Sequence, residues 1–250
     1  LTQGMMLLQA ALLAVLVVYN GGALLLGFTH SDIEVGLYTT AYKLMFISTV
    51  VSGAMMSAYF PVLSQVAGDT QQARRVAYDF ATLMVWMGLP IAALGWACGR
   101  HVNDLLFGAQ FAAAGPYFEW LCLVVALTFT NIGLGTPLLA WGHQKLHLKI
   151  IATSAVASLV LNALLVPRYA GWGAVAALLL AETMSVAMFA IARRRLELGR
   201  IALLPLLAPP LLCSLAVALG IAFLPASAQQ YWWLEVAIGA ALLGGGLLLF

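Results

Sequence analysis

Eight long runs of apolar residues dominate the chain, and they leave few architectures open to it. A helix needs about 20 consecutive apolar residues to cross the hydrocarbon core of a bilayer. Lipid offers a backbone no hydrogen-bond partners, so only helices or closed barrels can span it, and the runs lack the two-residue alternation of a barrel. The sequence therefore predicts transmembrane helices at 4–28, 36–60, 76–99, 117–140, 146–166, 171–192, 203–224 and 232–250.

The composition leaves no material for a water-soluble domain. Of the 250 residues, 64% are hydrophobic and 8% are charged, whereas soluble domains are about 25% charged. The mean hydropathy is +1.01. We therefore expect an all-α integral membrane protein, a bundle of about eight transmembrane helices. Pro61 and Pro167 are predicted to close helices, and Pro116 to open one.

Basic residues alternate between the two ends of the predicted helices. Two of them, Arg100 and Arg168, fall in loops on one side. Eight fall in the loops that follow the second, fourth and sixth helices, and these are Arg74, Arg75, Lys145, Lys149, Arg193, Arg194, Arg195 and Arg200. An excess of Lys and Arg marks the cytoplasmic side of a membrane protein. The sequence therefore predicts that both ends of this chain face the cytoplasm.

One basic residue, Lys43, lies within a predicted span. At 1.5 Å per residue it is about 10 Å inside the outer end of helix 36–60. A charge at the centre of a span costs about 2.5–3.5 kcal/mol even on the lenient insertion scale. Three interpretations stay open: Lys43 lines a wet cavity or contacts an anion, it reaches up to the outer interface, or it pairs with Glu182. Glu182 is alternatively protonated and hydrogen-bonded to another helix.

Other polar residues recur along single faces of the predicted helices. Thr39 and Ser57 lie within about 40° of Lys43 at 100° per residue, with Gly36 and Gly53 close by. The stripes on the other helices are Gln9 with Asn20, Thr128 with Asn131 and Gly135, Ser154 with Ser158 and Asn162, and Glu182 with Ser185. Small and polar residues also let membrane helices pack closely, so cavity lining and helix packing both stay open.

Little in the sequence favours catalysis. His143 and His147 are four residues apart but have no third metal ligand nearby, and we interpret them as an interfacial loop. A membrane-embedded polysaccharide polymerase or ligase usually has a large extracytoplasmic loop, and the longest predicted outer loop here is 100–116. We therefore expect no enzymatic activity, no cofactor, no metal site and no nucleic-acid partner.

Four stretches resemble motifs of a known transporter family. They are VGLYTTAYKL at 35–44, FPVLSQ at 60–65, FGAQFAAAGPYFEWL at 107–121 and LNALLVPRYAGWGAVAALLLAE at 161–182. Their order and spacing over residues 4–192 are similar to those of polysaccharide and O-antigen flippases. These flippases belong to the multidrug/oligosaccharidyl-lipid/polysaccharide exporter superfamily.

The resemblance implies one lobe of a two-lobed, MATE-like transporter, carrying spans seven to fourteen. Residues 1–192 would form a six-helix C-terminal lobe and residues 193–250 two additional peripheral helices, with the N-terminal lobe absent from this chain. Such a transporter would flip a lipid-linked oligosaccharide across the bacterial inner membrane by alternating access, in O-antigen or other polysaccharide biosynthesis. An undecaprenyl-pyrophosphate-linked substrate, the membrane lipids and the missing lobe would be its partners. A cation-coupled multidrug exporter of the same superfamily is the alternative.

The resemblance also implies roles for individual residues. Lys43 matches a cavity-facing Lys or Arg that would contact the pyrophosphate, and Glu182 matches the acidic position at the end of the fourth motif. Asn20, or its neighbour Tyr19, stands where many members have Asp. Together with the polar stripes, this gives an expected substrate-binding set of Lys43, Thr39, Asn20, Asn131, Asn162 and Glu182.

Overall fold

A computed structural model describes residues 2–196 as a bundle of long helices. Within that part no strand occurs, and all five long helices are long and apolar enough to cross a membrane. The predicted all-α, multi-pass architecture is confirmed. The predicted helices 203–224 and 232–250 lie outside the described residues. The five helices are α1 (Thr2–Thr29), α2 (Asp32–Gln65), α3 (Thr70–Phe107), α4 (Gly115–Ala140) and α5 (Gln144–Arg195), and a 3-10 turn (Ala109–Ala114) precedes α4.

Helix α5 turns back on itself and accounts for two of the predicted spans. A straight helix of its 52 residues would be about 78 Å long, more than twice the roughly 30 Å hydrocarbon core. Ala170 breaks the helix with φ 49° and ψ −131°. A Cβ added at Gly173 would lie 2.5 Å from the carbonyl oxygen of Leu165, so the chain reverses there. The two antiparallel segments, 144–169 and 171–195, contain the predicted helices 146–166 and 171–192.

Helices α3 and α4 form an antiparallel hairpin with a seam of small residues. A Cβ added at Gly88 would lie 2.5 Å from the Cβ of Phe129, and one added at Gly95 would overlap the Sγ of Cys122. Lipid supplies no hydrophobic drive between helices, so membrane helices associate where small residues allow close backbone approach. These glycines therefore set the distance between α3 and α4.

The remaining helices join this hairpin through specific side-chain contacts. Helix α1 lies on α5, because a Cβ at Gly22 would be 2.9 Å from the Cβ of Ala174. Helix α2 is tied to the end of α4, where Trp141 Nε1 donates a hydrogen bond of 2.9 Å to the carbonyl oxygen of Leu63. The described residues thus form one lobe with a shared core.

The helices extend past the predicted ends. Helix α3 begins at Thr70 because the Asp69 carboxylate accepts hydrogen bonds from the first free backbone N–H groups, those of Gln71 at 2.9 Å and Gln72 at 3.1 Å. Helix α2 continues four residues beyond Pro61, so the prediction that this proline closes the helix is wrong. One lost hydrogen bond near an exposed helix end is not enough to stop the helix. Pro116 stands in the first turn of α4, as predicted.

The hairpins bring most basic residues to one end of the lobe. Because α3 and α4 run antiparallel and α5 starts and finishes at the same level, the start of α3 lies beside both ends of α5. We call this the basic end, and its basic residues are Arg74, Arg75, Lys145, Lys149, Arg193, Arg194 and Arg195. The opposite end carries Arg100 and Arg168. Among the described residues, the predicted alternation of basic loops therefore corresponds to two physically distinct ends.

Candidate functional site

The expected substrate-binding residues divide into two groups. Lys43, Thr39 and Asn20 lie on the outer surfaces of α1 and α2, whereas Asn131, Asn162 and Glu182 lie at helix–helix interfaces inside the lobe. The structure does not bring all six into one cluster.

The face of α2 that carries Lys43 is uncovered. Lys43 is exposed and Thr39 is half-buried, with the Thr39 hydroxyl donating to the carbonyl oxygen of Val35 at 2.7 Å. No atom lies within 4 Å of a Cβ added at Gly36 or at Gly53 on the same face. We call this surface the open face of α2. It presents one ammonium group, small or hydroxyl-bearing residues, and the exposed apolar side chains of Ile47 and Val50 to whatever lies beside it.

On α1, adjacent residues point in opposite directions. Asn20 is exposed, and its amide donates only to the carbonyl oxygen of Leu16 at 3.0 Å, one turn earlier in the same helix. Tyr19 turns inward, where its hydroxyl hydrogen bonds to Thr128 Oγ1 of α4 at 2.9 Å. The inward polar position on α1 is therefore Tyr19, the neighbour of the expected Asn20.

Glu182 is held by hydrogen bonds across a helix interface. Its side chain is buried, and its Oε2 accepts from the Nδ2 of Asn131 on α4 at 2.5 Å. Asn131 Nδ2 also lies 3.3 Å from the backbone oxygen of Glu182. The Tyr19 hydroxyl lies beside the same carboxyl group. The group joins α1, α4 and α5, and Lys43 is not part of it.

Asn162 lies where α1 meets the reversed helix. It is buried, and its Nδ2 donates to the carbonyl oxygen of Ser158 at 2.8 Å, while its Oδ1 has no hydrogen-bond partner. Ser158 Oγ reaches the carbonyl oxygen of Val18 on α1 at 3.4 Å. Gly22 makes room for the amide, because a Cβ there would be 3.1 Å from Asn162 Oδ1. The predicted Ser158–Asn162 stripe thus faces α1.

Comparisons with known proteins bear on what these surfaces are for. Residues 2–116 match the family described as polysaccharide biosynthesis protein. The chain is 24% identical over 168 residues to the probable low-salt glycan biosynthesis flippase Agl15 of Haloferax volcanii, covering 66% of this chain and 36% of that protein. It is 26% identical over 168 residues to the putative O-antigen transporter of Shigella dysenteriae, covering 65% and 41%.

A solved structure extends the likeness to the whole lobe. The lipid II flippase MurJ, in an inward closed conformation, matches with a TM-score of 0.73 and 11% identity, over 95% of this chain and 50% of that one. The chain is thus similar to polysaccharide flippases in sequence and to a lipid II flippase in fold.

The chain spans less than half the length of the curated relatives that it matches. The matched shares are 36% and 41% of the two proteins named above. They are also 36% of the capsular polysaccharide biosynthesis protein CapF of Staphylococcus aureus, which is 21% identical over 141 residues, or 56% of this chain. The open face of α2 therefore belongs to a fold that occupies half of the flippase structure it resembles.

The sequence did not predict one polar junction, which lies at the start of α2. Glu34 Oε1 accepts a hydrogen bond from the Tyr117 hydroxyl at 2.5 Å and from the backbone N–H of Gly171 at 3.2 Å. The Tyr117 ring also meets Trp172 edge-on, with centroids 4.8 Å apart. The first turn of α2 is thus fastened to α4 and to the turn of α5. Glu34 falls in a loop of the predicted helix pattern, where an acidic residue carries no signal.

Proposed function

We propose that this chain is the C-terminal lobe of a flippase that moves a lipid-linked oligosaccharide across the bacterial inner membrane. The observation that carries the proposal is the open face of α2, with exposed Lys43, in a chain that covers half of a flippase fold. A second lobe beside that face would close a path between the two halves. Alternating access would then be a movement of the lobes relative to each other, with no covalent intermediate.

The chemistry of the open face suits a pyrophosphate-linked saccharide. A diphosphate that leaves water needs a fixed positive charge, which Lys43 would supply. Hydroxyl and amide groups at Thr39 and Asn20 would hydrogen bond to the phosphate or to sugar hydroxyls. The undecaprenyl tail would stay in the bilayer. Asn131, Asn162 and Glu182, being inside the lobe, would act by holding α1, α4 and α5 in register.

The orientation follows from the basic end. If it faces the cytoplasm, as the excess of Lys and Arg favours, then both ends of this chain are cytoplasmic. The substrate would be loaded on that side and released outside. Residues 193–250 would supply two further helices at the edge of the lobe.

The test replaces Lys43 in the full-length transporter and measures surface polysaccharide in a strain that lacks the native gene. Lys43→Ala should lower surface polysaccharide by about tenfold or more, since one charge–phosphate contact is worth more than 1.4 kcal/mol. Lys43→Arg should retain much of it. Lys145→Ala, which removes an equal charge from an exposed position at the basic end, is the matched control. Normal export from Lys43→Ala at normal protein level would refute the proposed role.

A cation-coupled multidrug exporter is the second candidate, because Glu182 is a buried carboxyl group within the lobe. The two functions separate in a deletion strain. A loss of surface polysaccharide with unchanged drug susceptibility supports the flippase. Increased drug susceptibility with intact polysaccharide would support the exporter instead.

A further inference from the structure

Arg193 is buried near the end of α5. Its side chain is 2% exposed, and its Nε, Nη1 and Nη2 atoms have no hydrogen-bond partner. No carboxylate among the described residues forms an ion pair with it. An arginine keeps its charge in a protein, and a buried charge without a partner is strongly destabilising. An anion bound beside the Arg193 guanidinium would therefore stabilise the fold.

A second buried nitrogen without a partner lies at the same end of the lobe. It is the Nδ1 atom of His147, in the first segment of α5. The His147 ring packs on Phe189, with ring centroids 5.2 Å apart. Phe189 is one helical turn before Arg193, which places Arg193 on the same face of α5. Two basic side chains with unused donor or acceptor atoms thus lie along one side of the hairpin of α5.

The length of the second segment of α5 is consistent with a position of Arg193 at the depth of the lipid headgroups. From Gly171, at the turn of α5, to Arg193 the helix rises about 33 Å at 1.5 Å per residue, close to the roughly 30 Å thickness of the hydrocarbon core. Within residues 2–196, seven basic residues gather at this end, against two acidic ones, Asp69 and Asp79. A basic surface at the membrane interface attracts anionic headgroups.

We propose that Arg193 is the centre of a binding site for the phosphate of an anionic phospholipid at the basic end of the lobe. A guanidinium matches a phosphate with two parallel hydrogen bonds, and a phosphodiester in the interface supplies the missing charge without leaving the membrane. His147 adds a second nitrogen on the same side. The site is separate from Lys43 on α2, so the bound lipid stabilises the lobe and is not the transported molecule.

The experiment compares two adjacent arginines in the full-length transporter, purified in a neutral detergent. Arg193→Gln removes the enclosed charge, and Arg194→Gln removes an equal charge from an exposed neighbour. Native mass spectrometry gives the affinity for phosphatidylglycerol, with phosphatidylcholine as the neutral comparison. Arg193→Gln should weaken phosphatidylglycerol binding by about tenfold or more, and Arg194→Gln by less than about twofold. An equal loss in both variants, or no loss in either, would overturn the site.

Thermal unfolding with and without lipid shows whether the anion beside Arg193 comes from the protein itself, from a phospholipid or from free phosphate. Without added lipid, Arg193→Gln should be at least as stable as the wild type, because an uncompensated buried charge has been removed. A variant that is unfolded or less stable under these conditions would mean that the guanidinium pairs within the protein, and the proposal would fail. Phosphatidylglycerol should raise the unfolding temperature of the wild type, and inorganic phosphate at equal concentration should not. Equal protection by inorganic phosphate would overturn the lipid assignment. None of these readouts depends on whether Lys43 contacts substrate.

Discussion

The close contact between α3 and α4 at Gly95 predicts how much Gly95→Ala changes the free energy of unfolding. A methyl group there overlaps the Sγ of Cys122 but lies 3.4 Å from the Cβ of the same residue. Gly95→Ala should therefore cost about 1–3 kcal/mol for overpacking, offset by about 1 kcal/mol because alanine favours the helix. We expect a net destabilisation of up to about 2 kcal/mol.

When the sulfur of Cys122 is removed, Gly95→Ala should stabilise the chain instead of destabilising it. Cys122→Ala alone opens a small cavity and should cost about 1 kcal/mol. In the double variant the new methyl fills that space, so its stability should equal or exceed that of the wild type. The two substitutions should show a favourable coupling of about 1–3 kcal/mol. Gly53→Ala is the matched control, because its methyl meets no atom within 4 Å and should add about 1 kcal/mol of helix stability.

The assay is reversible unfolding of the 250-residue chain in mixed detergent micelles, followed by tryptophan fluorescence. Using this chain keeps Gly53 free of the second lobe proposed above. If Gly95→Ala and Gly53→Ala change the free energy of unfolding by the same amount, the helices are not in close contact at this point. Additive effects of Gly95→Ala and Cys122→Ala would likewise contradict the described seam.

Two further predictions use the same unfolding assay. Ala170→Gly should stabilise the chain by about 1 kcal/mol, because a positive φ strains any residue with a Cβ. Ala163→Gly, at an exposed position inside the helix, is the control and should destabilise the chain by about 1 kcal/mol. Equal losses of stability in both variants would contradict the strain at the turn. Glu182→Ala should cost about 1–3 kcal/mol by leaving the buried Asn131 amide without its acceptor, whereas Glu182→Gln, which keeps an acceptor oxygen, should cost less than half of that. Equal effects of the two Glu182 variants would mean that the hydrogen bond contributes nothing.

Within residues 2–196, the number of membrane-crossing segments was predictable because hydropathy directly reports which segments can lie in lipid. The ends of the helices were harder to predict, because hydropathy does not report on the helical turns that extend beyond the hydrocarbon core. The Asp69 cap carries α3 outward to Thr70, and α2 runs on past Pro61. The reversal of α5 was predicted as a gap between two spans, although it needs only Ala170 to leave the helical conformation.

The polar residues show a different limit of sequence reasoning. For Asn131 and Glu182, residue type and spacing left cavity lining and helix packing both open, and they did not predict that the two residues meet each other. On α1 a rotation of 100° separates Tyr19 from Asn20, and the phase of one helix cannot be fixed to that accuracy from its own pattern. Arg193 was counted as a loop cation, whereas the structure buries it near the end of α5.

The turn at Ala170 has a practical consequence for mapping the topology of this protein. Experimenters often place reporter tags in the external connections of a membrane protein, on the assumption that these connections are slack. Here the reversal occupies a single residue, and Gly171 and Trp172 directly after it are held by Glu34 and Tyr117. A tag inserted at this point would pull the two segments of α5 apart, and its signal would then describe a damaged protein.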